Sequence, residues 1–265
     1  MEMAEKRVEF RFVNLYSGSS GNSTYIRTPD TEILIDAGKS AKALKCALCD
    51  IGEDISNIDA IFVTHEHTDH ISALKVLLKS YRINIHTVRE CAAYIPLLPQ
   101  SKDLLCTHTP SFSVRFNNTV VSSFVTSHDS VSSVGYRVDY DDGAERRSYA
   151  VATDTGYVTD QMYEALLGCS AIMLEANHDV DMVRCGIYPE QLKKRILSRR
   201  GHLSNSDCAT FARILAEQGT KRMMLAHISK ENNDPELARR TVSDALLGTD
   251  AEILVADQSL ATVLI

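Results

Sequence analysis

The chain has 265 residues, 44% of them hydrophobic and 24% charged, and a formal net charge of −7. That length buries a large core, and the composition excludes a disordered or collagen-like chain. No apolar run reaches the roughly 20 residues of a membrane span, and the acidic balance argues against indiscriminate binding to polyanions. The opening MEMAEKRVEF is charged and lacks the apolar stretch of a signal peptide. Seven scattered cysteines without a secretion signal read as reduced thiols, so the expected location is cytoplasmic.

In chain order, VEFRFVNL (8–15) alternates, with Val8, Phe10 and Phe12 on one face, and predicts a strand. SGSSGNS (17–23) is a turn, and TYIRT and EILID, split by Pro29-Asp30, predict a hairpin. KSAKALKCALCDIG (39–52) reads as a helix ended by Gly52, IDAIFVT (58–64) as a buried strand, and ISALKVLLKSY (71–81) as a helix. NIHTV (84–88) predicts a short strand, and RECAAYIPLL a helix as far as Pro96. FSVRF, TVVSSFVTS and VGYRVDY read as strands, and DDG (141–143) turns the chain into RSYAVAT. DQMYEALLG predicts a helix and SAIMLEA (170–176) a strand; residues 189–200 and 204–218 predict helices begun by Pro189 and Ser204. KRMMLAH (221–227) is a strand and PELARRTVSDALLG a helix, and EILVA and LATVLI close the chain. Each half has hairpin strands followed by strand–helix units. Two mixed β-sheets face to face, with helices outside, in one domain spanning 1–265, account for that order.

VTHEHTDHIS (63–72) crowds His65, Glu66, His67, Asp69 and His70 onto a loop that leaves a strand and opens a helix. Loops at strand ends are where a rigid sheet presents chemistry. In extended backbone His65 and His67 point the same way, while Asp69 and His70, at the turn into the helix, can face a neighbouring point. Imidazole and carboxylate are ligands of zinc, iron and manganese, and the spacing suggests two adjacent ions. Further ligand types stand just after apolar strands: Asp36, His128, Asp154 and His227. A carboxylate such as Asp154 can bridge two cations. His86 and His108 read as structural, since buried polar groups usually just find partners.

THEHTDH, together with LIDAG, SHD, ATDTG and LAHIS, resembles the metallo-β-lactamase superfamily across nearly the whole chain. YSGSSGNSTYI, LEANHD, GHLSN and HISKENN resemble more specifically its YycJ (WalJ) branch, proposed as DNA exonucleases. The resemblance implies a four-layer αββα sandwich. It implies one metal on His65, His67 and His128, a second on Asp69, His70 and His227, and Asp154 shared between them. Asp36 would support the site through hydrogen bonds without ligating. Lactamases that use a thiolate have cysteine where this chain has Asp154, a departure that favours dinuclear hydrolases and nucleases.

Two cations about 3.5–4 Å apart can hold a hydroxide between them and stabilise an in-line displacement, and Asp69 can additionally orient the water. The same parts could attack a thioester or lactone carbonyl. Three features lean toward phosphodiesters. His202, in RRGHLSNSD, and Glu175, ending a strand, stand in contexts that resemble the tRNA 3′-processing enzymes, where the histidine protonates the leaving oxygen or holds the phosphate. KKRILSRR places Lys193, Lys194, Arg195, Arg199 and Arg200 directly ahead of His202, as either a solvated helix face or a backbone-binding patch. SGSSGN (17–22) either offers backbone N–H groups to a phosphate, with Ser19 and Asn22 beside it, or is only a turn. His178, in EANHD, fits the YycJ-like pattern without a mechanical role.

The expectation is a hydrolase with two divalent ions (zinc, manganese or iron) acting on phosphodiesters, with DNA as partner and no membrane contact. A 5′-to-3′ exonuclease in DNA repair follows from the resemblance alone. The alternatives are a small-molecule thioester or lactone hydrolase and a metal-bound binding module without catalysis. The oligomeric state is left open.

Overall fold

A computed structural model describes residues 9–265; the reading of the first residues as leaderless, and Val8 in the first strand, lie outside the described residues. β1 (Arg11–Tyr16), β2 (Ser23–Thr28), β3 (Thr31–Ile35), β4 (Ala60–Phe62), β5 (Asn84–Val88) and β6 (Leu105–His108) form one sheet in that order. β7 (Ser113–Phe116), β8 (Thr119–Val125), β9 (Val134–Asp141), β10 (Arg146–Ala152), β11 (Ala171–Glu175), β12 (Arg222–Ala226) and β13 (Glu252–Val255) form the second. β14 (Thr262–Val263) returns to the first sheet, antiparallel to β1, with Val13 opposite Val263. The helices in chain order are α1 (Ala41–Asp50), α2 (Thr68–Ile71), α3 (Leu74–Leu77), α4 (Arg89–Ala92), α5 (Asp160–Leu166), α6 (Val180–Cys185), α7 (Glu190–Ile196), α8 (Asn205–Glu217) and α9 (Pro235–Ala245).

The strand period of two sorts side chains into layers. In β3, Ile33 and Ile35 face the second sheet while Leu34 faces the helices. The inter-sheet layer packs Phe12, Ile26 and Phe62 against Val121, Tyr136, Val138, Tyr149 and Met173. Outside the first sheet, Leu44 and Leu48 of α1 and Leu74 and Leu77 of α3 cover Val13, Leu34 and Ile61. Outside the second, Met162, Phe211, Leu215 and Val242 of α5, α8 and α9 cover Ala150, Ile172 and Leu225. Each fully buried large apolar side chain contributes about 1.5–3 kcal/mol, so three stacked layers make a rigid base. The two facing sheets with helices outside, expected from the order of elements, and the αββα sandwich implied by the resemblance are the observed fold.

Three local expectations need correction. Residues 71–81 are not one helix: the segment breaks into α2 and α3 around Ser72 and Ala73. The carbonyls that would continue it are taken by distant loops: Asp69 O accepts from Asn22 N–H at 2.7 Å and His70 O from Ala37 N–H at 2.8 Å, while Ala73 N–H turns to Ala37 O at 2.9 Å. The helix expected over 189–200 stops at Ile196, and residues 197–200 form a turn. The helix expected over RECAAYIPLL as far as Pro96 stops at Ala92. The strand β6 and the helix α6 had no counterpart in the sequence reading.

β3 to β6 run parallel to one another, as do β10 to β13, and β8, two antiparallel steps from β10, points the same way. Loops after β1, β3, β4, β8, β10, β11 and β12 therefore gather at one end of the sandwich. The sheets are tied there: Tyr136 O–H donates to Val63 O at 2.7 Å, and Val134 N–H to Thr64 O at 3.1 Å.

Candidate metal centre

Backbone conformation aims the side chains at the strand ends. Asp36, Asp154 and His227, which follow β3, β10 and β12, have φ of 62°, 55° and 57°. That left-handed region is costly for residues with a Cβ and collects at functional sites. Asn117 is the other non-glycine residue with this geometry among those described.

Ligand atoms of His65, His67 and His128 lie within 4.8 Å of one another, as do those of Asp69, His70 and His227, and of His65, His70 and Asp154. Asp154 stands between the sets, with Oδ2 3.5 Å from His70 Nε2, and Oδ1 3.5 Å from His227 Nε2 and 3.8 Å from His128 Nε2. His65 Nε2 is 3.0 Å from His67 Nδ1, and Asp69 Oδ2 is 3.6 Å from His70 Nε2. Ligands held at about 2.0–2.1 Å around a tetrahedral ion stand about 3.3 Å apart, so these separations fit a metal.

Hydrogen bonds behind the imidazoles fix their tautomers. Asp36 accepts Thr64 N–H at 2.8 Å, Thr64 O–H at 2.9 Å and His70 Nδ1–H at 2.8 Å. His65 Nδ1–H donates to Thr64 Oγ1 at 3.0 Å, His128 Nδ1–H to Gly201 O at 3.1 Å, and His227 Nδ1–H to Glu175 Oε1 at 3.0 Å. With Nδ1 committed, each ring turns Nε2 inward as a lone-pair donor. Asp154 Oδ2 and His227 Nε2 are buried and have no hydrogen-bond partner among the described residues. Buried polar atoms without partners are rare, and a cation between them would satisfy both.

Electrostatics agrees. Burial pushes the His65 and His128 imidazolium forms down, so both rings are neutral. Burial also opposes charge on His70 and His227, but Asp36 and Asp154 raise the first to about 9, and Asp154 with Glu175 raises the second to about 10. Burial would push the Asp154 carboxyl up, yet the imidazoles around it hold it well below the usual carboxylate range. The pocket demands positive charge, which a divalent cation supplies in place of protons.

Glu175 is fully buried and makes four hydrogen bonds. Its Oε1 accepts from His202 Nδ1 at 2.7 Å and from His227 Nδ1 at 3.0 Å, and its Oε2 from Thr155 N–H at 2.8 Å and Leu203 N–H at 3.2 Å. Burial would raise its carboxyl, but the two imidazoles hold it down at about 2. Expected as a catalytic group, it stands instead behind His202 and is placed to act through that ring. His202 lines a cleft of about 410 Å³ with Ser19, His128 and His227.

Other expected contacts have local jobs. Lys193 Nζ donates to Arg184 O at 2.9 Å and pairs with Glu190 at 3.2 Å. Arg200 donates to His128 O at 3.3 Å and Ser130 O at 3.1 Å, and the Arg199 guanidinium lies 3.7 Å over the Tyr157 ring. Within the run at 193–200, read either as a solvated face or as a backbone-binding patch, Arg200 braces the His128 loop while Lys193 and Arg199 are engaged by the surrounding fold. Asn22 is buried under the Asp69–His70 corner, its amide bonded to Gly18 O at 3.1 Å and 3.1 Å from His70 Nε2, where it shapes the loop. His178 is buried, with Nδ1 lacking a partner among the described residues, and belongs to none of the ligand groups.

The sequence reading missed the braces. Glu66 Oε1 accepts Val131 N–H at 3.0 Å, tying the ligand loop to the segment carrying His128. Asn177 Nδ2 donates to His227 O at 2.7 Å, and Ser17 Oγ accepts His227 N–H at 2.7 Å. Glu66 sat inside the quoted cluster and Asn177 inside LEANHD, so their presence was visible though their partners were not.

The sandwich with imidazoles and carboxylates gathered at one end defines a metal-dependent hydrolase of the metallo-β-lactamase kind. Residues 31–228 match the family model for the β-lactamase superfamily domain. The exodeoxyribonuclease WalJ of Streptococcus pneumoniae serotype 2 is 37% identical over 263 residues, covering 95% of each chain. The exodeoxyribonuclease YycJ of Bacillus anthracis is 37% identical over 243 residues, covering 89% of this chain and 88% of that one. The solved metallo-β-lactamase fold protein YhfI of Bacillus subtilis superimposes with a TM-score of 0.69 at 17% identity, over 96% of this chain and 98% of that one, a likeness of fold. The chain belongs to the β-lactamase superfamily, in the group of WalJ- and YycJ-like proteins.

Proposed function

We propose that this protein is a metal-dependent exonuclease that hydrolyses phosphodiester bonds of DNA from a 5′ end, in the cytoplasm and in DNA repair. The observation that carries the reading is His202, held by a buried carboxylate on one nitrogen and open to the cleft on the other. An alkoxide leaving from phosphorus needs a proton, whereas a thiolate leaving a thioester does not. The similarity to exodeoxyribonucleases over nearly the full length supports the same substrate. Free thiols at all seven cysteines suit a reducing compartment. Among the described residues, no helix is long and apolar enough to cross a membrane.

In this reading His65, His67 and His128 hold one divalent ion, Asp69, His70 and His227 a second, and Asp154 both; zinc, manganese and iron all suit the donors. When bound, such ions lower the pKa of water and neutralise charge growing on a phosphoryl oxygen. Asp36 keeps the His70 proton on Nδ1, and Asp69 orients the attacking water. Glu175 holds the His202 ring through Nδ1 and turns its Nε2 to the cleft, from which a proton can pass to the leaving oxygen.

The test is metal analysis followed by assays on 5′-phosphorylated oligonucleotides beside a lactone and a glutathione thioester. The oligonucleotide should be cleaved and the other two left intact. His202→Ala should keep its metal and lose cleavage; normal cleavage by that variant would remove the proton-donor assignment.

A further inference from the structure

The basic run ahead of His202 is largely spent on the fold, and several other cations of the second half are paired. Arg195 sits 2.6 Å from Asp129, Lys221 3.1 Å from Asp250 and Arg222 3.5 Å from Glu252. The face over the first sheet differs. Residues 39–50 and 71–81 carry Lys39, Lys42, Lys45, Lys75 and Lys79 against one acid, Asp50 at the end of α1. Among the described residues none of these five forms a salt bridge, and all but half-buried Lys39 are exposed. In a chain of net charge −7, five lysines without salt bridges on and beside two adjacent helices make a local field of the opposite sign.

α1 and α3 pack side by side and leave a groove of about 400 Å³ lined by Lys42, Lys45, Cys46, Val76 and Tyr81. Lys45 Nζ lies 5.6 Å over the Tyr81 ring. The segment leading into α1 ties this face to the loop beside the metal centre. Lys39 Nζ donates to Ser20 Oγ at 3.0 Å, and Ser19, one residue away, lines the cleft. Gly38, just ahead of Lys39, packs against the backbone of Asp69. At 1.5 Å rise per residue, Lys39 to Lys45 spans about 9 Å of helix axis, roughly two to three phosphates of one DNA strand at 3.4 Å each.

We propose that the lysine face of α1 and α3 is the path along which substrate DNA runs from the metal centre, its backbone held by Lys39, Lys42, Lys45, Lys75 and Lys79. This rests on the reading of the protein as a DNA hydrolase. Recognition is by charge, so it carries no sequence preference and weakens with salt.

The test reverses three exposed charges, Lys42→Glu, Lys45→Glu and Lys75→Glu, in the metal-loaded full chain. A control variant of equal net charge carries Arg146→Glu, Lys221→Glu and Arg240→Glu. Binding of a phosphorothioate 20-mer is read by fluorescence anisotropy across a salt series. Hydrolysis is read on a 5′-phosphorylated 20-mer and on bis(p-nitrophenyl) phosphate, which is too small to reach the helices. In the lysine variant, 20-mer affinity should fall about tenfold or more at low salt, and the log–log salt slope should drop by about 2, at 0.7–0.9 per lost contact. Hydrolysis of the small diester should stay unchanged, and the control should bind nearly as the parent does. Parent-like 20-mer binding by the lysine variant, or an equal loss in the control, overturns the path. If the unaltered protein cleaves the small diester but neither binds nor cleaves DNA, the DNA reading itself has failed, and the path falls with it.

Discussion

Replacing Glu175 with glutamine removes one charge and keeps the shape. The carboxylate accepts four hydrogen bonds, two from backbone N–H groups and two from imidazoles. The amide oxygen of glutamine can keep Thr155 and Leu203, which leaves its NH2 group facing His202 Nδ1 and His227 Nδ1. Donor then meets donor. Each ring must move its proton to Nε2 or lose the bond, and for His227 that nitrogen is the one turned toward Asp154. Hydrogen bonds to a charged group contribute about 1.5–3 kcal/mol each, so the two lost bonds are worth about 3–6 kcal/mol. On His227 the cost should appear as metal affinity about 10–100-fold lower, the usual effect of removing a group behind a ligand. On His202 it should appear as a fall in kcat of about 10²–10⁴-fold, since the ring loses the carboxylate that orients it for proton transfer.

The two effects separate in a double-mutant cycle read by metal content against a chelator series and by kcat on saturating oligonucleotide. In a His202→Ala background, Glu175→Gln should leave cleavage at saturating metal no lower, because its route to the leaving group is already gone. It should still weaken metal binding, because its route through His227 is intact. A Glu175→Gln protein with parental metal affinity and parental kcat would show that the carboxylate merely fills the fold.

Three further perturbations follow. His67→Ala should abolish metal binding at the His65–His128 site and all cleavage, yet shift the stability of the chelated protein by less than about 1 kcal/mol, since His67 is half-exposed; elemental analysis and urea melts check both. Gly38→Ala should cost about 1–3 kcal/mol or more in urea denaturation and lower metal occupancy, because the added methyl would overlap the Asp69 carbonyl; a variant with parental occupancy and stability would refute that tight approach. His86, stacked 4.8 Å from Phe62 and bonded to His108, is held neutral, its imidazolium pushed down to about 4 by burial and by His108. The unfolded chain protonates it near 6.5, so stability from the neutral ring is complete above about pH 6.5 and is lost as pH falls through about 4. His86→Asn should flatten the pH dependence of stability across that window by on the order of 2 kcal/mol, and identical pH slopes would refute it.

What was legible in the sequence followed from local periodicity. Alternating or continuously apolar runs placed β1 to β5 and β7 to β12, and ligand types at apolar strand ends picked out Asp36, His128, Asp154 and His227. What was not legible depended on partners far away in the chain. The apolar spacing of 71–81 is that of a helix, but Asn22 and Ala37 take the carbonyls it needs. LCTH is four residues without alternation, and β6 exists because β5 offers it an edge. The run at 193–200 looks free in one dimension, and only the fold shows Arg200 spent on the His128 loop. The unpaired lysines of α1 and α3 are dispersed in sequence and become one face only when the helices pack.

The left-handed backbone at Asp36, Asp154 and His227 leads to a last consequence. Strained positions of this kind cost of order 1–3 kcal/mol each, and buried unpaired atoms such as Asp154 Oδ2 and His227 Nε2 cost a similar amount. All of them lie at one end of the sandwich, where Asp154 and His227 contribute to the ligand groups. Without a cation the protein therefore carries a local penalty that the three apolar layers must support. A metal that binds the folded chain and not the unfolded one stabilises by RT ln(1 + [L]/Kd), about 4 kcal/mol at a thousandfold excess over Kd. Chelation should thus lower the melting temperature by several degrees. It should also speed hydrogen exchange at the loops after β4, β10 and β12 more than in α8 or α9, because the penalty is local. A melting temperature unmoved by chelation, with uniform exchange, would mean that the strained corners are held by packing alone and that no cation is part of the folded state.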